Sequence, residues 1–196
     1  MEEVTLQRLP STSKLMAKAL LTGIGRPAPS EGLPRRSVSL TSKRQDRERL
    51  AAYCRVTGFG IRDAVPATWL HVLTFPLHLY LMGSKDFPFP LPGIVHASNE
   101  MRLRRSVLAN EPLRIQVQAD NMAPHKRGIA FELLGTIRVA DEVVWSGTST
   151  YLAMGKKLAG TPPRPARRME APAGPPSQRW RLPADLGRKY AQVSGD

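Results

Sequence analysis

Few residues in this chain pair a reactive side chain with a neighbour that would activate it. There are four histidines, His71, His78, His96 and His125, and one cysteine, Cys54. His71 and His78 lie seven residues apart in the apolar run ATWLHVLTFPLHLYLMG. They share one side of a helix and read as core or interface histidines. His96 falls in a strand-like stretch beside Asn99 and Glu100 and is a secondary acid–base candidate. His125 belongs to APHKRG, a hairpin-loop sequence rich in positive charge. A single cysteine and the lack of suitably spaced carboxylates argue against a metal site. Cys54 reads as a small buried residue. Asp63 has no identifiable acid–base partner, and Ser146-Gly147-Thr148 lacks the strand–turn–helix context of a nucleophile elbow. The chain ends on YAQVSGD, which sets a carboxylate, Asp196, directly after Ser194 and Gly195. Taken alone, that is an ordinary turn.

The elements that must position these residues follow from periodicity. LRIQVQAD alternates, with Leu113, Ile115, Val117 and Ala119 on one face. IAFELLGTIRVA repeats the pattern with Ile129, Phe131, Leu133, Ile137 and Val139 inward. Ala140-Asp141-Glu142 reads as a hairpin tip leading into VVWSGTSTYLAM. IVHASNEMRL, Ile94 to Leu103, is a further strand, and RSVSLT, Arg36 to Thr41, another. Between them lie two helical patterns. One contains Leu50, Tyr53, Cys54 and Thr57, with Ser42 as the expected N-cap and Gly58 as the stop. The other is apolar on every side from Trp69 to Met82, so it is expected to be buried, with Pro76 starting or kinking a helix. FPFPLPG reads as a loop. A long buried helix followed by a meander of strands predicts an α+β fold, an antiparallel sheet curled around one helix.

Composition bounds the rest. The chain has 29 Lys and Arg against 16 Asp and Glu, a net charge of +13, and is 41% hydrophobic. The positive excess lies largely in Pro- and Ser-rich tracts without interleaved aromatics, which argues against a nucleic-acid platform. It leaves a polyanionic small molecule as a partner for the basic surface. The single cysteine allows no internal disulfide and fits a reducing, cytoplasmic compartment. The acidic, polar start is no secretory signal, and no run of about 18 apolar residues marks a spanning helix. Four segments are expected: a basic, Pro-rich and mobile stretch over 1–35, a domain over 36–155, a Pro- and Arg-rich linker over 156–178, and the start of a further folded unit over 179–196. In that last unit Asp185 is expected to cap a helix.

GRKYAQVSGD resembles the opening of the hydratase motif of MaoC-like acyl dehydratases and (R)-specific enoyl-CoA hydratases. In that family an aromatic, a small residue, Gly and Asp precede Asn-Pro and then His. Tyr190, Ser194, Gly195 and Asp196 supply the first part, and the Asn-Pro and His do not follow. YCRVTGFG, VPATWLHVLTFPLHLYLM, GIVHASNEM, PHKRGIAFELLG and VVWSGTSTYL resemble the N-terminal half of a two-repeat member, a degenerate hotdog domain. The resemblance implies a hotdog fold over 36–155 and the beginning of a second, catalytic hotdog after the linker. It implies hydration of a trans-2-enoyl thioester, or dehydration of a 3-hydroxyacyl thioester. Asp196 is then the catalytic carboxylate, and Gly195 and Ser194 shape its turn. His125, Lys126 and Arg127 are candidates to meet a CoA phosphate. No cofactor is implied, because the substrate carries its own CoA or phosphopantetheine. A homo- or hetero-dimer through hotdog sheets is the expected assembly. Without the His partner the 196-residue chain alone is expected to be inactive. A non-catalytic module that holds acyl thioesters or a partner subunit is the alternative.

Overall fold

The computed structural model describes residues 2–20, 25–42, 44–163, 174–176 and 178–195. Alternating sequence over its second half forms three long neighbouring strands, β4 (Leu113–His125), β5 (Gly128–Val139) and β6 (Glu142–Met154). Each pairs antiparallel with the next. The predicted inner face is correct: Ile115, Val117, Phe131, Leu133 and Ile137 are all fully buried. The hairpin tip is Ala140-Asp141, where Ala140 takes a left-handed conformation (φ 51°).

Helix α3 (Ala67–Met82) crosses this inner face. It continues through Pro76, so Pro76 does not start the helix as one of the expectations had it. An interior proline costs about 3 kcal/mol. Leu70, Val72, Leu73, Leu77, Leu79 and Leu81 are all buried, each contributing roughly 1.5–3 kcal/mol, so burial outweighs the lost hydrogen bond. FPFPLPG is irregular backbone, yet Phe87 and Phe89 are fully buried and pack on the Phe131 ring at 5.3 and 5.4 Å.

The remaining strands, β1 (Glu2–Leu6), β2 (Arg36–Ser42) and β3 (Ile94–Leu103), complete a six-stranded sheet of order β1-β2-β4-β5-β6-β3. The simple meander fails at β3, which pairs with β6 instead of β4. Nine residues separate β3 from β4, enough to leave the sheet, and no two-residue turn signal forces a hairpin. β2 pairs with β4 on the other side. Ser42 ends this strand, so it is not the N-cap of α2 (Arg47–Thr57). Asp46 is, accepting from the Arg49 amide at 2.9 Å, and Gly58 ends the helix in the left-handed region.

The N-terminal stretch, expected to be mobile apart from a short amphipathic helix within SKLMAKALLTGIG, contains β1 as well as that helix, α1 (Thr12–Leu20). β1 lies parallel to β2 with Val4 opposite Val38, and Glu3 is ion-paired to Arg114 at 2.8 Å. Composition missed this because the strand's partner is an edge elsewhere in the chain. Arg26 then donates to the carbonyls of Met82, Ser84 and Phe87, tying the segment to the end of α3. Part of the expected linker, 164–173 and Ser177, lies outside the described residues. Beyond it comes α4 (Leu186–Ser194), which packs on α2. Asp185 stands at its N-cap position without a capping hydrogen bond and is ion-paired to Lys189 at 3.0 Å. Among the described residues, no helix is long and apolar enough to cross a membrane.

Phe131 touches aromatic rings from two loop residues and from Tyr151. Its truncation, Phe131→Ala, is expected to cost about 3–5 kcal/mol in denaturant unfolding. A loss below about 0.5 kcal/mol, typical of an uninvolved surface site, would contradict this packing.

Candidate functional site

A cavity of about 550 Å³ opens where α1, α3, the start of β3 and α4 meet. Met16, Phe75, Leu79, Met82, Leu91 and Ile94 make most of its wall. Thr12, Ser13, His96 and Tyr151 supply its polar atoms, and Ala191 and Gly195 close one side. Helix α3 lends residues to both the core and this wall because it is apolar all round. A larger cavity, about 670 Å³, lies by α2 and the 61–66 and 108–110 segments. Its one nucleophile is Cys54, whose thiol is pushed up by burial and so is poorly reactive.

The polar corner of the first cavity joins three elements. His96 on β3 stacks on Tyr151 of β6 at 4.7 Å between ring centroids. Behind them His78 of α3 is buried, its Nδ1 3.1 Å from the Tyr151 hydroxyl. His71 follows, its ring 5.8 Å from His78 and 5.9 Å from His96. Among the described residues, His71 Nδ1 and His78 Nε2 are buried without a hydrogen-bond partner. Burial, with His96 adding, pushes His71 down to about 4. Burial, then His71 and His96, pushes His78 well below its ordinary value. Both are therefore neutral near pH 7. The reading of His71 and His78 as interior residues agrees with this. Their convergence with His96 and Tyr151 at a cavity was not visible from spacing.

The YAQVSG segment forms the last turns of α4. Tyr190 packs against Tyr53 of α2 at 6.1 Å. Arg49 of α2 donates to the Val193 and Ser194 carbonyls, each at 2.8 Å. Gly195 ends the helix at φ 81°, a conformation that favours glycine, and its N–H bonds the Ala191 carbonyl. A Cβ there would also crowd the Thr12 hydroxyl at 3.1 Å. Ser194 is buried beside it. Asp196, the expected carboxylate, lies outside the described residues. The other predicted group stands apart. His125, Lys126 and Arg127 are exposed in the β4–β5 turn, where His125 Nδ1 accepts from the Arg127 amide at 3.2 Å, and none of them lines this cavity. Among the described residues no group of three His, Cys, Asp or Glu side chains is arranged to hold a metal.

One signal in the sequence went unread. Tyr53-x-x-Val56-Thr57-Gly58 closes α2, and Tyr190-x-x-Val193-Ser194-Gly195 closes α4. Both helices end on a left-handed glycine, with φ and ψ of 79° and 9° in one and 81° and 14° in the other. Phe59 follows the first copy where Asp196 follows the second.

No family model matches the chain. It is 30% identical over 167 residues to 3-hydroxyacyl-thioester dehydratase X of Mycobacterium tuberculosis, an alignment covering 85% of this chain and 60% of the relative. A crystal structure of that protein, HtdX, superposes with a TM-score of 0.67 at 28% identity, over 82% of this chain and 61% of the other. A MaoC-like dehydratase from Phytophthora capsici shares the fold, with a TM-score of 0.60 at 16% identity over 82% of this chain and 61% of that one. The sheet wrapped around α3 is thus a hotdog fold, the architecture of acyl dehydratases. In sequence and fold the chain is similar to the MaoC-like hotdog dehydratases. It spans about 60% of the length of the curated relative it matches.

The buried histidines make stability depend on pH. Unfolded, they titrate near 6.5; folded, they resist protonation. Their contribution is complete above about 6.5 and is lost as pH falls toward 4, by up to about 1.4 kcal/mol per pH unit for each histidine. The carboxylates held low by partners, Glu3 and Glu111, start from 4.5 and lose their contribution only below it. Urea titrations from pH 7.5 to 4.5 should show falling stability, with a flatter profile in His71→Gln. A level wild-type profile would contradict the burial of both rings.

Proposed function

We propose that this chain serves a MaoC-like acyl-thioester hydratase or dehydratase, with the cavity beside α4 holding the acyl chain. The observation that carries the reading is the position of Gly195. The glycine of the hydratase-type motif forms part of the wall of an otherwise apolar cavity. An aliphatic chain would bury its methylenes against Met16, Leu79, Met82 and Ile94, at about 0.8 kcal/mol for each CH₂. Its thioester end would lie toward the turn that leads to Asp196.

The chemistry asks little of the fold beyond placement. Hydration of a trans-2-enoyl thioester forms a C–O bond at C3 and a C–H bond at C2. One proton leaves the water and another reaches the α-carbon. Asp196 is the group proposed to take the water proton. In the family pattern a histidine beyond the motif works with it, and a backbone N–H stabilises enolate charge on the thioester oxygen. No cofactor enters this scheme, since CoA or phosphopantetheine arrives with the substrate. His125, Lys126 and Arg127 remain candidates for the phosphates of that carrier, as an exposed cationic turn. The partner we propose is a further hotdog unit along β3, which ends the sheet and exposes Val95 and Leu103.

The test follows loss of the conjugated double bond of trans-2-enoyl-CoA, in the 196-residue chain and in the natural protein that contains it. Turnover by the natural protein, abolished by Asp196→Asn, is expected. Met16→Trp, at the half-exposed rim, should raise KM for long acyl chains by about tenfold while leaving short ones within about twofold. Binding of acyl-CoA without turnover in any form would favour the non-catalytic module.

A further inference from the structure

Helix α4 is short, and four of its nine residues are exposed. Nine residues are too few to hold a helix alone. Its register therefore depends on what α2 and α3 offer it. Tyr190 meets Tyr53, and the Arg49 guanidinium spans two successive carbonyls of the last turn, Val193 through Nε and Ser194 through Nη2. Those carbonyls belong to the set that a helix end leaves unpaired, and a cation there also meets the negative end of the helix dipole. The same guanidinium lies 5.5 Å over the buried Trp69 ring of α3, which fixes its plane.

This clamp works in one direction. The two helices carry the same closing pattern, but Leu186 stands four residues before Tyr190 where Arg49 stands four before Tyr53. Leucine has nothing to donate, so α4 cannot return the contact to α2. The end that is clamped is the one whose glycine lines the apolar cavity. Arg49 itself is absent from that wall.

From this geometry we infer that Arg49 is a positioning residue: it fixes the Ser194-Gly195 turn against the cavity where the proposed site lies. The inference rests on the acyl-thioester reading above. Lysine is not an equivalent, because it cannot bridge two carbonyls and stack on an indole at once.

The experiment uses the natural protein with Arg49→Gln and Arg49→Lys. Val144→Ala, a fully buried position on β6 outside the cavity, serves as a stability control. Three quantities are measured: kcat and KM on trans-2-enoyl-CoA, the melting temperature, and amide hydrogen exchange over residues 186–195. Both Arg49 variants are expected to lose kcat by roughly 10–100-fold with KM held within about twofold, since small misplacements of a reacting group act on rate. Exchange at 190–195 should accelerate by about tenfold or more. Val144→Ala should lower the melting temperature and keep kcat. Unchanged kcat in Arg49→Gln would overturn the inference, as would a proportionate kcat loss in Val144→Ala. If the wild-type protein does not turn over the thioester, the acyl reading fails and exchange decides alone. Unaltered protection at 190–195 in Arg49→Gln then refutes the clamp, and its loss upholds it.

Discussion

An apolar helix with no polar face is the constraint from which this architecture follows. α3 buries residues on every side, so it can lie only in a concavity. Antiparallel strands with a right-handed twist supply one when they curl, and β4, β5 and β6 turn their alternating apolar faces toward it. The close approach has local requirements. Gly135 and Gly147 sit directly opposite each other on β5 and β6, and the Trp145 indole fills the space their missing side chains leave. A larger residue at Gly147 would displace that ring. The curl, the buried tryptophan and the unbroken passage of α3 through Pro76 all satisfy the same packing demand.

The same helix creates the polar corner. Placing His71 and His78 on α3 forces imidazoles into a region that favours their neutral form. His78 finds Tyr151, whose other neighbours are His96 and Phe131. A continuous stack of rings thus runs from the core to the cavity edge.

What could be read in the sequence divides along sequence separation. Alternation over Leu113–Val139 and the all-round apolar run at 69–82 are local signals, and both correctly located the buried face. The pairing of β3 with β6, and of β1 with β2, depends on which edges remain free once the other strands have paired, so no window of residues contains it. Pro76 misled as a helix start because a local penalty was read without the burial that offsets it. Ser42 misled because several polar residues precede α2 and only geometry selects Asp46. At the candidate site, the turn at Ser194-Gly195 was legible from its residue types. Its place in the cavity wall was not, because that depends on Arg49, 144 residues from Val193 in sequence.

The duplicated Tyr-x-x-Val-Ser/Thr-Gly ending explains why the two helices are not interchangeable. Each delivers a left-handed glycine, and such a turn directs whatever side chain comes next. After Gly58 that residue is Phe59, about half exposed and facing the Tyr53 ring at 6.5 Å. Phenylalanine can neither accept a proton nor bind water strongly, so the first turn contributes packing to the α2 surface. After Gly195 the residue is a carboxylate. In the proposed reading, a backbone device that supports packing in one copy would support acid–base chemistry in the other, with one residue type deciding between them. The clamp from Arg49 runs toward the copy that carries the carboxylate, and the apolar cavity opens on that same side.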